Sequence, residues 1–324
     1  WAFEYANDFY PDSDDTAMAL MALQVQFEDR EVSTEALPPD LRLVEEDSLG
    51  QVDLQTDNRI QRSAAAIQRG LDWLLAMQND DGGWGAFDRN NNREFLCYVP
   101  FADHNAMIDP STPDLTGHVL SALGQLGHRV GDAAVDRAVD YLRGNQEANG
   151  SWFGRWGVNY IYGTGEAMAG MGAVGVGPDD PAMRRGVNWL LSAQQTCGGW
   201  GESADSYNKS GRPGHGNPTP SQTARALIGL LSAGLEHHPA VTRGIQYLVD
   251  TQAADGSWEE TEFTGTGFPK VFYLRYHYYR IYFPLLALSR WAISAAASSA
   301  EVQAPPLRVI SIEEEDVEQY AVVG

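Results

Sequence analysis

One pattern, repeated four times, constrains the fold of this chain more than any other feature of its sequence. In each repeat a small residue is followed eight positions later by Gln, and Trp comes six positions after the Gln. The instances are Gly70…Gln78…Trp84, Ala138…Gln146…Trp152, Gly186…Gln194…Trp200 and Gly244…Gln252…Trp258. A Gly-containing turn precedes each Trp, which predicts a helix that ends at a left-handed Gly. We expect the Gln to bind exposed backbone groups and the Trp to stack over its amide, as a structural staple.

A second kind of helix is predicted between the repeats. Its members are apolar most of the way round, so we expect them to be buried, whereas the Gln-bearing helices have one polar face. The predicted buried helices cover roughly 14–26, 114–127, 158–175, 219–234 and 279–297. Alternating inner and outer helices predict an all-α fold, an α/α toroid of the α6-α6 barrel type, over residues 1–298. Because a closed ring needs six helix pairs, we expect it to be incomplete at the N-terminus, as a fragment or a chain that lacks an amino-terminal partner.

Two stretches depart from this pattern. Residues 27–60 are charged and contain Pro38-Pro39, which indicates a long exposed insertion loop. Residues 299–324 carry a run of acidic side chains at 313–316, and we expect this tail to be disordered.

Composition excludes several classes of protein. The net charge of −22 argues against nucleic acid as a partner and against electrostatic docking on anionic lipid. The only cysteines, Cys97 and Cys197, lie far apart without metal-ligand spacing, so we expect a reducing compartment and no disulfide framework. Neither a signal peptide nor an apolar run of about 18 residues is present.

Three carboxylates, Asp12, Asp14 and Asp15, are crowded at the start of the first apolar helix. Helix capping explains a single Asp at such a position. Three in four residues exceed what a cap requires, and like charges this close cannot all ionise. We therefore expect at least one carboxyl to hold its proton at neutral pH and to be able to act as a Brønsted acid.

The stretch Phe9-Tyr10-Pro11-Asp12-Ser13-Asp14-Asp15-Thr16-Ala17 resembles the DxDD acid motif of squalene–hopene cyclases and related class II terpene cyclases. The Gln/Trp repeats resemble the QW motifs of the same superfamily. Two longer stretches, 151–160 and 265–269, are similar to family signatures as well. The resemblance covers essentially residues 1–295.

This resemblance implies a catalytic group centred on Asp14 as the proton donor. Around it the resemblance places Asp12, Asp15, His118, Asp114 and Tyr162. A His bonded to one oxygen of Asp14 would orient the acid proton toward substrate. As an imidazolium it would also favour the carboxylate that forms.

The resemblance also implies an aromatic wall that stabilises carbocations by cation–π attraction while water is excluded. Its members are Phe3, Phe87, Phe101, Trp156, Phe268, Phe272, Tyr276 and Tyr279. The last four keep i, i+4 and i+3 spacing, which predicts one aromatic helix face if this stretch is helical. An ordinary core stripe is the alternative interpretation of the same spacing. Phe87 stands where the family commonly has Tyr, and Phe101-Ala102 where it often has Phe followed by Cys.

The function that the resemblance implies is proton-initiated cyclisation of squalene to a pentacyclic hopanoid, hopene or hopanol, without a metal or an organic cofactor. It further implies a bacterial enzyme on the cytoplasmic side of the cell membrane, attached through a nonpolar patch, with a second barrel half; a homodimer is left open.

Three alternatives stay open from the sequence. One is a DxDD cyclase that acts on a shorter or functionalised prenyl chain, of the drimane or meroterpenoid type. Another is a noncatalytic toroid or an inactive split subunit that needs a partner half. A protein prenyltransferase β-subunit shares the toroid but would require an Asp/Cys/His zinc set that the sequence does not offer.

Overall fold

The structure is a computed structural model that describes residues 1–2, 9–28, 49–93, 95–96, 107–208 and 211–298. Helices dominate these residues. They are α1 (Ser13–Glu28), α2 (Leu49–Ala76), α3 (Pro113–Gln125), α4 (Ala133–Gly144), α5 (Tyr160–Ala173), α6 (Pro181–Ala193), α7 (Pro220–Ser232), α8 (Pro239–Thr251) and α9 (Tyr279–Ser298). A short 3₁₀ helix (Ala204–Tyr207) and two strands, β1 (Gly265–Phe268) and β2 (Phe272–Leu274), complete the described elements.

The chain divides into two compact units. The first comprises Trp1–Gln146 with Ala169–Asp180, and the second comprises Glu147–Met168 with Pro181–Gly324. In the first unit α1 packs on α2 and α3, and α3 packs on α4. In the second unit α7 packs on α8 and α9, and β1 pairs with β2 as an antiparallel hairpin.

Burial alternates along the chain as the sequence predicts. Helices α3 and α7 are buried over most of their length, and so is α5. In the helices between them only one face is buried, as in α4, where Val135, Ala138, Val139, Tyr141 and Leu142 form the buried set. The interpretation as inner and outer helices is therefore confirmed for these elements.

The predicted inner helices α1 and α9 are less completely buried. Met18 and Val25 of α1 are exposed, and so are Tyr282, Leu286 and Ile293 of α9. Each set lies on one side of its helix at roughly helical spacing. Both helices thus carry an apolar stripe that their own unit does not cover.

Trp84, Trp200 and Trp258 each close a joint between the preceding helix and the following turn. The indole Nε1 donates to the carbonyl ten residues earlier, at 2.8 Å for Trp84 to Leu74, 2.7 Å for Trp200 to Leu190 and 2.8 Å for Trp258 to Leu248. These carbonyls lie in the last turn of the outer helices, where they lack an intrahelical partner. All four repeat tryptophans, Trp84, Trp152, Trp200 and Trp258, are completely buried.

The repeat Gln extends this joint to the next outer helix. Gln78 Nε2 donates to the Gly82 carbonyl at 2.9 Å in its own turn and to the Ala134 carbonyl at 2.8 Å at the start of α4. Gln194 repeats both contacts with Gly198 and Ala240, each at 2.8 Å. The predicted staple is therefore confirmed for the Gln, while the Trp contributes an indole hydrogen bond that the sequence analysis did not foresee.

The interpretation of 27–60 as one loop is wrong in its second half. Helix α2 begins at Leu49, so residues 49–60 are helical. That stretch contains no Pro, and its two Leu and two Gln favour a helix, so its charged and polar residues do not prevent one. Residues 29–48 and the acidic tail from 299 lie outside the described residues.

Replacing Gly82 by Ala tests the repeat turn. Gly82 has φ 94°, and an added Cβ would collide with the Arg137 carbonyl of α4. Gly127 is the matched control, because it has φ 92° but meets nothing within 4 Å. We expect Gly127→Ala to lower the free energy of unfolding by about 1–2 kcal/mol, and Gly82→Ala to lower it by about 1–3 kcal/mol more. Urea unfolding of both variants measures this; equal losses would show that the turn tolerates a side chain.

Candidate active site

Asp12 is the capping residue of α1. Its Oδ1 accepts the backbone N–H of Asp14 at 2.6 Å and that of Asp15 at 3.1 Å, and its carbonyl accepts the N–H of Thr16 at 3.0 Å. These are the bonds expected of an N-cap carboxylate. Capping therefore accounts for Asp12, and it does not account for the side chain of Asp14.

The carboxyls on either side of Asp14 retain protons unusually well. Burial raises the pKa of Asp12 to about 7, and the negative charges of Asp14 and Asp15 add to the rise, while the N–H groups of Asp15 and Asp14 oppose it. Burial and the charge of Asp14 also raise the pKa of Asp15. The cluster thus holds a proton near neutral pH, as crowded carboxylates should.

Asp14 reaches across to the neighbouring helix. Its Oδ1 lies 2.5 Å from Nδ1 of His118 on α3. The Asp14 side chain is 38% exposed and that of His118 is 12% exposed, so the bond lies between a largely buried imidazole and an accessible carboxyl. Asp114 is buried one turn before His118 in α3. The structure therefore brings Asp12, Asp14, Asp15 and His118 together, with Asp114 on the same helix as His118.

A threonine near the start of each inner helix α1, α3, α5 and α7 identifies equivalent positions among these helices. Oγ1 of Thr116, Thr164 and Thr223 accepts the backbone N–H of the preceding repeat Trp at 3.1, 2.9 and 2.9 Å. Thr16 accepts the amino group of Trp1 in the same way at 2.8 Å. The residues two positions before these threonines are Asp14, Asp114, Tyr162 and Ser221. Three predicted catalytic residues thus occupy one repeat position at the starts of α1, α3 and α5.

Tyr162 belongs to the second unit. It is buried in the first turn of α5, and its ring lies so close to Gly157 that a Cβ there would clash. Arg225 of α7 places its guanidinium carbon 5.2 Å from the centre of the Tyr162 ring.

Phe87 is held by a residue that the sequence analysis missed. Asp109 Oδ2 accepts the N–H of Phe87 at 2.6 Å and of Asp88 at 2.8 Å, which anchors a loop whose Phe87 side chain is exposed. Burial raises the pKa of Asp109, and these N–H groups oppose the rise. The same loop offers the Ala86 carbonyl to the N–H of Ser13 at 2.8 Å, beside the carboxylate cluster. Phe3 and Phe101, also predicted to line the wall, lie outside the described residues.

The helical interpretation of Phe268, Phe272, Tyr276 and Tyr279 is wrong. Residues 265–274 form the β1–β2 hairpin, in which Phe268 pairs with Phe272, and α9 begins only at Tyr279. Gly267 and Pro269 disfavour a helix here, and Lys270 adopts φ 70° in the tight turn. The i, i+4 aromatic pair meets because the chain folds back on itself.

The hairpin nevertheless gathers the predicted aromatic residues of the second unit. The ring centroids of Phe268 and Phe272 are 5.7 Å apart, and those of Tyr276 and Tyr279 are 4.6 Å apart. Arg155 lies 4.4 Å from the Trp156 ring and 4.9 Å from the Phe268 ring. Trp156, Phe268, Tyr276 and Tyr279 are half-buried and Phe272 is exposed, which disfavours the interpretation as a core stripe.

Two further carboxylates hold helix starts in the second unit. Glu202 accepts the N–H of Ile161 at 2.8 Å at the start of α5, and Glu260 accepts the N–H of Ser221 at 3.0 Å at the start of α7. Burial raises the pKa of each. Both lie two residues after a repeat Trp, a spacing from which they could have been found.

Neither a metal site nor a membrane span is found within the described ranges. No group of three or more His, Cys, Asp or Glu side chains there is arranged to hold a metal ion. Likewise, none of the described helices is both long and apolar enough to cross a membrane.

The raised pKa of Asp12 predicts a pH-dependent stability. The folded protein holds the Asp12 proton up to about pH 7. The contribution of this proton to the free energy of unfolding is therefore complete below pH 4 and is lost as the pH rises through 7. Asn keeps the cap and cannot ionise. We expect the stability of Asp12→Asn relative to the parent to rise between pH 4 and 7, by at most about 1.4 kcal/mol per pH unit.

Urea unfolding at several pH values checks this expectation. Asp250→Asn, a change at an exposed carboxylate of α8, is the control. A stability difference between Asp12→Asn and the parent that stays constant from pH 4 to 7 would contradict the assignment of the proton to Asp12.

Comparison with known proteins gives this geometry a family. Residues 46–293 match the family model of the squalene–hopene cyclase C-terminal domain. A squalene–hopene cyclase of Zymomonas mobilis is 44% identical over 293 residues, which are 90% of this chain and 40% of the relative. That of Alicyclobacillus acidocaldarius is 46% identical over 291 residues, 90% of this chain and 42% of the relative. A dammaradiene synthase of the fern Dryopteris crassirhizoma is 38% identical over 94% of this chain and 43% of the relative.

A solved structure supports the fold. The type II terpene cyclase MstE from Scytonema aligns with a TM-score of 0.53 at 19% identity, over 92% of this chain and 77% of that one. This likeness confirms the all-α fold class. The chain spans about two fifths of the length of the curated relatives that it matches. It belongs to the squalene–hopene cyclase family, and it corresponds to the C-terminal half of those enzymes.

Proposed function

We propose that this chain carries the acid-bearing part of an enzyme that cyclises squalene to a pentacyclic hopanoid by protonation, with Asp14 as the Brønsted acid. The observation that carries the proposal is the 2.5 Å contact between Asp14 and His118, next to two carboxyls whose pKa values are raised. The relatives with 44–46% identity are named squalene–hopene cyclases, which supports squalene as the substrate.

The first step transfers the Asp14 proton to a terminal double bond of squalene. The π electrons form the new C–H bond, the O–H electrons stay on Asp14 as a carboxylate, and the adjacent tertiary carbon becomes cationic. His118 then stabilises the new carboxylate by its hydrogen bond, which is strongest when donor or acceptor is charged. A proton retained by Asp12 limits the negative charge beside Asp14, so that the ionisation of Asp14 is not opposed by two full neighbouring charges.

The remaining double bonds attack the cation in turn, and each attack moves the positive charge to a new carbon. Aromatic faces stabilise such a charge by about 0.5–2 kcal/mol each without trapping it. The resemblance assigns this role to Phe87, to Trp156 and the hairpin aromatics, and to Phe3 and Phe101. Loss of a proton or addition of water ends the sequence as hopene or hopanol.

The surroundings of the enzyme are part of this proposal. A hydrocarbon substrate dissolves in lipid, so we place the protein at the cytoplasmic surface of a bacterial membrane, in contact through a nonpolar patch. The uncovered apolar stripes of α1 and α9, with Met18 and Ile293 among their members, support a second barrel half or a second copy as a partner.

Replacing Asp14 by Asn in the intact protein, as its gene encodes it, tests the acid. Asn keeps the size of the side chain but has no acidic proton. We expect the rate of squalene cyclisation to fall by at least about 10³-fold, within the range of a lost general acid. Asp250→Asn is the control and should leave the rate unchanged. Squalene turnover followed by mass spectrometry measures both, and undiminished turnover by Asp14→Asn would remove Asp14 from the mechanism.

The same assay distinguishes squalene from a shorter prenyl substrate. With the parent enzyme we expect pentacyclic products from squalene and none from farnesyl diphosphate. If the parent converts farnesyl diphosphate but not squalene, and Asp14→Asn converts neither, Asp14 remains the acid and the substrate is a functionalised prenyl chain.

A further inference from the structure

A buried ion pair in the second unit has no place in the mechanism above. Arg225 Nη1 of α7 contacts Oε1 of Glu166 on α5, and the two side chains are 6% and 2% exposed. Burial, the largest single influence, would lower the pKa of Arg225, but Glu166 and the nearby Tyr162, Tyr282 and Tyr279 together raise it, so the guanidinium is charged. A buried pair of this kind contributes little net stability compared with apolar side chains, which makes its presence in a helix core informative.

Arg225 also contacts two aromatic rings. Its guanidinium carbon lies 3.6 Å from the centre of the Phe283 ring on α9 and 5.2 Å from that of Tyr162 on α5. One side chain therefore links α5, α7 and α9. The helices α5 and α7 are close at this level, because a Cβ on Gly165 would collide with the Arg225 carbonyl.

The repeat gives this contact a counterpart in the acid site. The residues two positions after the repeat threonines are Met18, His118, Glu166 and Arg225. His118 of α3 bonds to Asp14, which lies two positions before the threonine of α1. Arg225 of α7 stacks on Tyr162, which lies two positions before the threonine of α5. Arg225 thus contacts Tyr162 from the same repeat position from which His118 contacts Asp14, two residues after the threonine.

From this correspondence we infer that Arg225 is a positioning residue for the Tyr162 ring and that Glu166 neutralises it so that the ring can face a carbocation. The inference rests on the proposed function. A cation on one face of a ring draws on the same quadrupole that would stabilise a second cation. An uncompensated guanidinium behind Tyr162 would also repel a carbocation directly, because charges interact strongly in a dry site. The neighbouring carboxylate removes both penalties.

Three variants of the intact protein test the pair, and Glu166→Gln is the first. It leaves Arg225 charged behind the ring, and we expect kcat to fall tenfold or more with KM nearly unchanged, and products with fewer rings to appear. Glu166→Gln combined with Arg225→Met removes both charges, and we expect it to recover most of the lost kcat. Arg225→Lys keeps the charge without the planar stacking and should also increase incompletely cyclised products. Asp140→Asn, which breaks the exposed pair with Arg143 on α4, is the control and should change neither quantity.

A purely structural pair would behave differently. The double variant would then be no faster than Glu166→Gln, and the product distribution would stay that of the parent in every variant. Either result would overturn the inference. Thermal unfolding of each variant identifies those that do not fold. If the double variant does not fold, the product distribution of Arg225→Lys decides, because a structural pair would leave it unchanged.

A spectroscopic measurement separates this inference from the proposed function. With 3-fluorotyrosine at position 162, we expect the ¹⁹F resonance of the substrate-free protein to shift in Arg225→Met and in Glu166→Gln, and to stay constant in Asp140→Asn. An unchanged resonance in Arg225→Met would overturn the positioning role even in an active enzyme. A shifted resonance in a protein that cyclises no prenyl chain would show that Arg225 positions Tyr162 and that the proposed function is wrong.

Discussion

The bond from the repeat indole to the end of the outer helix organises the described structure. Trp84, Trp200 and Trp258 each donate to a carbonyl ten residues earlier, at 2.7–2.8 Å. Such carbonyls must find partners when a helix end is buried. The indole satisfies one and at the same time fills the space between helices with the largest apolar side chain. The same residue therefore ends the outer helix and seals the layer beneath it.

The backbone of the same Trp then determines where the next inner helix begins. Its N–H binds the threonine in the first turn, as Trp200 binds Thr223 at 2.9 Å, and its carbonyl accepts the N–H of the residue before that helix, as Trp84 does for Thr112 at 3.1 Å. The Asp12 N–H donates the corresponding bond to the Trp1 carbonyl at 2.7 Å. The same bonds that begin the other inner helices therefore place Asp14, and the helix starts differ in the side chains two positions before and two positions after the threonine.

This regularity explains what the sequence could predict. The Gln-to-Trp spacing predicted the helices and their order, because every instance uses the same local bonds. The pairing of Asp14 with His118 came from resemblance to the family, since no local spacing relates residues 104 positions apart. The hairpin at 265–274 was missed because its aromatic spacing also fits a helix, and only Gly267 and Pro269 argued against one. Residues 49–60 were missed because their charged residues and the preceding Pro38-Pro39 indicated a loop.

The roles of Asp109, Glu202 and Glu260 were missed because the prediction considered carboxylates only as catalytic groups. Each accepts backbone N–H groups, with Glu202 and Glu260 buried and Asp109 half-buried, so its function depends on chain geometry that composition does not record. Their raised pKa values show that an altered pKa alone does not identify a catalytic acid. What distinguishes Asp14 is that its side chain turns away from the backbone of its own helix and binds a titratable partner on another.

At equivalent positions of the inner helices, the proposed mechanism requires a charge to form in one place and a charge to be neutralised in another. In the proposed mechanism Asp14 of α1 loses a proton, and the His118 imidazole of α3, two residues after the threonine, supports the negative charge that forms. In the inferred arrangement of α5 and α7 the same repeat position places the Arg225 cation beside the Tyr162 ring, where its field must be cancelled if the ring is to face a carbocation. Glu166 can cancel this field because it contacts Arg225 from the preceding inner helix, also two positions after a repeat threonine. A scaffold built from one repeated joint can therefore carry both a proton donor and a neutral aromatic wall by exchanging side chains at two positions.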